Sequence, residues 1–262
     1  MIKSLQELNL EDDFLFAKVM SDKYICKEFL EKLLEIEIER VEMPENQKVI
    51  DLLLESKGIR LDIYVKDENN TVYNIEMQRG KHKNLPKRLR YYQGNIDLDL
   101  INTGEDYRKL AKSYIIFICT FDLFNKGRHK YSFETICRED SSIKLEDETN
   151  KIILNTKGRM NDLSNELLDF LEYIEHSDDK TASNSEGTLV KNIHKRVKEV
   201  KNDVKLEVEY MTLLERDREK IEEGIEQKSI DVAREMLRDN ESIEKIMRYT
   251  KLSKEEIEKI EL

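Results

Sequence analysis

Between Ile59 and Gln78 the chain reads IRLDIYVKDENNTVYNIEMQ, and this stretch leaves little freedom for what forms around it. Ile59, Leu61, Ile63 and Val65 alternate with Arg60, Asp62 and Tyr64, the period of two expected of a strand with one buried face. After the polar run from Lys66 to Thr71, Tyr73, Ile75 and Met77 alternate with Asn74, Glu76 and Gln78. The two runs predict an antiparallel hairpin. Directly opposed residues project to the same side, so facing Asp62 with Glu76 leaves Glu68, Asn69 and Asn70 as the tip. Three-residue tips are common, and Asn tolerates the left-handed conformation they need. Two carboxylates about 4 Å apart repel by about 4 kcal/mol at an effective dielectric of about 20, a pairing that strands avoid unless positive charge lies between them. A divalent cation is the simplest such charge. The alternative is a pair of solvated polar positions in a chain of which 39% is charged.

The rest of the composition narrows the function classes. A length of 262 residues suffices for one substantial domain with an appendage, and the apolar fraction of 39% is low enough to leave part of the chain outside a main core. The net charge of −11 gives no general attraction to phosphate backbones or anionic membranes, so any nucleic-acid site has to be local. No segment approaches the roughly 20 apolar residues that span a bilayer, and MIKSLQELNLEDDF has no apolar signal core, so the expectation is a cytoplasmic protein with no membrane partner. Cys26, Cys119 and Cys137 are odd in number and lack paired metal-ligand spacing, as expected of reduced structural thiols.

Helices are predicted on both sides of the hairpin. Phe14, Phe16, Val19 and Met20 follow Asp12 and Asp13, and Ile25, Phe29, Leu30, Leu33 and Leu34 recur at helical spacing. The acid pair suits a helix cap and a first-turn dipole contact, with a third metal-site carboxylate as the sharper alternative. A strand is expected at 48–54. From Arg79 to Asn95 there is no acid, while Arg79, Lys81, Lys83, Lys87, Arg88 and Arg90 are basic. Leu85, Leu89, Tyr92, Ile96 and Leu100 give this stretch a helical stripe, with Pro86 tolerated near its start. Its cations and aromatics suit phosphates, sugars and bases, or else form a solvated basic face. Tyr114 to Phe121, YIIFICTF, predicts a central strand covered on both faces. Two further strands at 130–137 and 151–154 and an amphipathic helix at 163–174 complete an order of helix, three strands, helix, strand.

In these residues the chain resembles the Rpn family of recombination-promoting nucleases and putative transposases, within the PD-(D/E)XK nuclease superfamily. The resemblance lies in EDDFLFAKVM, IRLDIYV, YNIEMQ, PKRLRYYQGNIDLDLINTGEDY, SYIIFICTFDLF and, farther on, EYMTLLERDREKIEEGIEQ. It implies an α/β restriction-endonuclease-like core, a mixed sheet flanked by helices, followed by a long helical C-terminal tail. It also implies a metal-dependent DNA endonuclease. Carried onto this chain, Asp62 stands at the motif's aspartate, Glu76 at its Asp/Glu, and Gln78 at the position usually held by lysine, giving Asp62, Glu76 and Gln78 as catalytic residues. Asp62, Glu76 and Asp13 would hold Mg²⁺, or Mn²⁺ or Ca²⁺, and Arg60, Lys81, Lys83, Lys87, Arg88 and Tyr92 would contact DNA. Glutamine orients ligands through hydrogen bonds but brings no positive charge. The rival expectation is a nuclease-fold protein without catalysis that acts through its tail.

That tail is expected to begin after a nuclease-like domain at 1–176 and a polar linker at 177–188. Across 189–262, Val190, Ile193, Val197, Val200 and Val204 recur at spacings of three and four, with Met211, Leu214, Ile221 and Ile225 in register. This predicts a coiled-coil seam and a homo-oligomer, against a long helix packing back on its own domain. The final residues predict short helices with Ala233, Met236, Leu237, Ile243, Ile246 and Met247 inside. The acids of the last helix, Glu255, Glu256, Glu258 and Glu261, suit protein contact better than DNA.

Overall fold

A computed structural model describes residues 3–43, 49–50, 59–80 and 84–260. The chain forms two compact units, 1–203 and 204–262. In chain order the first unit contains helices α1 (Asp13–Met20) and α2 (Lys23–Leu34), then short strands β1 (Val41–Glu42), β2 (Val49–Ile50) and β3 (Ile59–Arg60). Strands β4 (Ile63–Asp67) and β5 (Val72–Gln78), helix α3 (Leu85–Leu100) and strand β6 (Ser113–Cys119) follow. Strands β7 (Lys130–Phe133) and β8 (Thr149–Asn155) and helices α4 (Asn165–Glu175), α5 (Asp179–Asn184) and α6 (Leu189–Lys201) complete it. Most of the strand expected at 48–54 lies outside the described residues.

The main sheet is mixed and runs in the order β1-β4-β5-β6-β8-β7. β4 and β5 are the antiparallel hairpin, whereas β5, β6 and β8 run parallel. The hairpin register is Ile63 opposite Ile75 and Lys66 opposite Val72, which continues to Asp62 opposite Glu76. Its tip is Glu68 to Asn70, with Asn70 left-handed at φ 61°. Asp67 holds that tip by accepting from the backbone N–H groups of Asn69 and Thr71.

Strand β6 lies between β5 and β8, buried as its sequence requires, and α3 is the crossover between β5 and β6. Leu85, Leu89, Tyr92 and Ile96 of α3 pack over Tyr64, Val72, Ile115, Phe117, Cys119 and Ile153, so the strand face that reads as polar in the hairpin is roofed by this helix. Burial pushes the Cys119 thiol up to about 12, leaving it protonated and structural. One detail departs from the alternation. β3 pairs with β2, and a bend at Leu61 and Asp62 separates it from β4. Leu61 therefore packs in the cluster under α3, with Tyr64, instead of beside Ile63.

The two compact units divide at 203/204, beyond the linker expected at 177–188. Residues 177–188, which include α5, are bound into the first unit. Ser177 Oγ accepts from Leu10 N at 2.7 Å, and Thr188 N donates to Glu166 Oε1 at 2.8 Å. The predicted seam from Val190 breaks at Asn202 and Asp203. Its first half lies on α6 and buries Val190, Ile193, Val197 and Val200 in the first unit, where α6 lies against α1, α2 and α4. Its second half begins the second unit, which contains α7 (Val204–Arg238), α8 (Ile243–Thr250) and α9 (Lys254–Glu258). There Ala233, Ile246, Leu252 and Ile257 form a small core, and Met247 is partly exposed instead of inside. Among the described residues no helix is long and apolar enough to cross a membrane.

Candidate active site

Asp62 and Glu76 meet where the hairpin ladder ends. The backbone N–H of Asp62 donates to Glu76 Oε1 at 3.1 Å, and the N–H of Met77 donates to Asp62 Oδ2 at 3.2 Å. Each carboxylate thus takes a backbone donor at the end of the opposing strand, and the bend at Asp62 makes room for this exchange. Both acids open on a cleft of about 400 Å³ with Asp13, Gln78, Arg79, Gly80, Arg88 and Tyr92.

Arg88, one turn into α3, reaches down into this cleft. Its Nη1 donates to Gln78 Oε1 at 2.6 Å, its Nη2 donates to Tyr92 OH at 2.9 Å, and Nη2 stands 3.6 Å from Glu76 Oε2. Gln78 Nε2 donates in turn to Gly80 O at 2.9 Å, which fixes which way its amide faces. The guanidinium also lies over the rings of Tyr92 and Phe117, where a weakly hydrated, planar cation is well accommodated. Arg88 is therefore an interior counter-charge more than an open phosphate hook.

One guanidinium does not balance the acids. Glu76 is only 2% exposed, and burial, followed by the charge of Asp62, pushes its carboxyl well above the usual range despite the Asp62 N–H and Arg88. Asp13 is shifted the same way, by desolvation first, against the pull of Arg79. The adjacent acids of α1 have separate places. Asp12 caps the helix by accepting from Phe14 N and pairs with Arg79 at 3.3 Å, while Asp13 faces the cleft.

The structure thus brings together Asp62, Glu76, Gln78, Asp13, Arg88 and Tyr92. Lys87 is exposed on α3 and does not line the cleft. Arg60 ends β3, and its side chain is not described; Lys81 and Lys83 lie outside the described residues. Arg79 is a cleft residue that the sequence reading placed only in a basic run. Its signal was its position, one residue past Gln78 at the end of the strand.

The donor set is oxygen alone, with two converging carboxylates and one more on the cleft wall. Among the described residues no group of three or more His, Cys, Asp or Glu side chains forms a preformed metal cage. This pattern does not suit a structural zinc site. It does suit Mg²⁺, which is bound through one or two carboxylates and completes its shell with water and substrate phosphate. Two carboxylates, Asp62 and Glu76, on one cleft with Asp13 are the observation that the residues fit such an ion.

A family model described as PD-(D/E)XK nuclease family transposase matches residues 11–234. No curated protein and no solved structure matches the chain.

Proposed function

The chain belongs to the PD-(D/E)XK nuclease family of transposases, and from that premise we propose that it is a divalent-metal-dependent DNA endonuclease. The observation that carries this reading is the convergence of Asp62 and Glu76, which accept from the backbone N–H groups of Met77 and Asp62 respectively, beside Arg88. In this reading Asp62 and Glu76 would hold Mg²⁺, with Asp13, which lines the same cleft, as the third acid. When bound, such an ion lowers the pKa of a coordinated water and withdraws charge from a phosphate oxygen.

The chain's own side chains prepare the site in other ways. Arg88 offsets part of the acids' charge and holds Gln78 by its carbonyl, while the Gly80 carbonyl holds the other end of that amide. Gln78 thereby presents a fixed dipole where the superfamily has lysine, and the positive charge comes from Arg88 on the neighbouring helix. Tyr92, bonded to Arg88, closes the cleft on the α3 side. Cleavage of supercoiled plasmid and of linear single-stranded DNA should appear with Mg²⁺ or Mn²⁺ and vanish with EDTA. A folded protein that cleaves neither substrate with either metal would sink the enzyme reading.

We further propose homo-oligomerisation through α7. Val204, Val208, Met211, Ile221 and Ile225 are each more than half exposed within the second unit, an unusual density of apolar side chains for a solvated helix. Sedimentation equilibrium should give a mass above 31.2 kDa, and Ile221→Asp with Ile225→Asp should return it to that value. A wild-type monomer at tens of micromolar would exclude this assembly.

A further inference from the structure

A second cavity, of about 660 Å³ and of mixed polar and apolar lining, opens at the ends of β6 and β8 and is lined by Thr120, Asn125, Lys126, Lys157, Arg159 and Met160, among others. Its position follows from the sheet. β5, β6 and β8 are parallel, with Gln78 beside Cys119 and Cys119 beside Asn155 in register. The residues that follow these strands therefore emerge along one edge, the carboxyl edge, which is where open α/β sheets bind ligands. The acid cleft lies at the end of β5, and this cavity lies at the ends of the next two strands.

The two are joined through the backbone. Thr120 N donates to Gln78 O at 3.2 Å, and Thr120 Oγ1 donates to Arg79 O at 2.9 Å. Two strand spacings of about 4.8 Å place the end of β8 about 10 Å from that of β5.

The loops that form the cavity are tightly built. Asp122 Oδ1 accepts from Phe124 N, Asn125 N and Tyr131 OH, and its Oδ2 accepts from Gly127 N at 2.7 Å. Gly127 O then accepts from Arg159 N at 2.7 Å, which ties the loop after β6 to the loop after β8. At Gly158 the close approach of the His129 ring leaves no room for a Cβ, which would fall 2.4 Å from it. The one acid of the lining, Asp122, is spent on this knot, and Lys157 is paired with Glu175. Lys126 and Arg159 are exposed, and neither side chain has an ion-pair partner among the described residues. In a chain of net charge −11, that is a local excess of positive charge on a rigid mount.

We propose that this cavity is a nucleic-acid backbone site, in which Lys126 and Arg159 hold phosphates to one side of the bond cut at Asp62 and Glu76. Asn125 adds a neutral side-chain donor, and the exposed Met160 offers an apolar surface to a sugar or base. The site rests on the nuclease reading, and it gives the acid cleft a direction along the strand.

The test is fluorescence anisotropy of a labelled 24-base-pair duplex in EDTA across a salt series, with the full chain carrying Glu76→Gln so that the DNA stays intact. Adding Lys126→Ala and Arg159→Ala should weaken binding roughly tenfold at low salt and reduce the slope of log K against log salt by about 2, since each lost phosphate contact removes about 0.9. Lys126→Arg with Arg159→Lys should keep affinity and slope. Lys66→Ala, at the opposite end of the sheet, should change neither. DNA binding with an unchanged slope in the double alanine variant would overturn this site and leave the nuclease reading standing. Absence of DNA binding in every version would overturn both.

Discussion

Glu76→Gln should abolish metal-dependent cleavage, a loss of at least about a thousandfold, and in EDTA it should make the protein more stable. The first effect follows from removing one of two carboxylates that the proposed ion needs, on the scale of a lost transition-state charge contact. The second follows from the direction of the Glu76 shift. Its carboxyl is raised in the folded state, chiefly by burial and then by Asp62. Between the ordinary glutamate range and that raised value the folded protein holds a proton that the unfolded chain has released, so stability falls as pH rises through this window. Glutamine keeps the shape and an acceptor for the Asp62 N–H without the charge. At pH 7.5 this relief should raise the melting temperature of Glu76→Gln above that of wild type. At pH 4 the two proteins should melt together. In wild type, Mg²⁺ should recover much of the same stability, and in Glu76→Gln it should recover little. A variant that melts below wild type in EDTA at pH 7.5 would show that the carboxylate is a net structural support and not a strained one.

Why the hairpin was readable and its surroundings were not has a physical explanation. The strand period, the tip length and Asn70 are local properties, and together they fixed the register that faces Asp62 with Glu76. The central strand was readable because eight nearly uninterrupted apolar residues have no other economical place. The polar strand face, however, carries Tyr64, Asn74 and Gln78, which alternation assigns to solvent. They are buried because α3 covers them, and that depends on contacts distant in sequence. For the same reason Arg88 reads as one cation in a basic run. Only the turn of α3 over β5 sets it between Gln78 and Glu76. The seam from Val190 to Ile225 is divided for another reason. Its spacing is continuous, but the helix is not, and the two halves meet different surroundings on either side of Asn202 and Asp203. The basic rim at Lys126 and Arg159 has no sequence pattern at all, because its residues are brought together by parallel pairing of β6 and β8.

Arg88→Gln should lower cleavage about a hundredfold, and adding Gln78→Lys should return a substantial part of it. Arg88 is the one cation within reach of Glu76 among the described residues, and it also fixes the Gln78 amide at 2.6 Å. Its removal leaves the buried acid pair with still less counter-charge, which drives Glu76 further toward its protonated, non-binding form. The rate of Arg88→Gln should therefore recover as pH is raised, more steeply than that of wild type, because deprotonation of Glu76 becomes limiting. A lysine at position 78 brings an ammonium to the same strand face as Glu76, two residues away, and so restores the charge from the sheet instead of the helix. In an otherwise wild-type chain, Gln78→Lys places that ammonium against the Arg88 guanidinium in place of a hydrogen-bond acceptor, and it should reduce activity. The two substitutions are thus expected to be strongly non-additive, each harmful alone and compensating together. Initial rates of plasmid nicking for the four proteins across pH 6.5–9 would measure this. Simple multiplication of the two losses in the double variant would mean that Arg88 acts on something other than the charge of the acid pair.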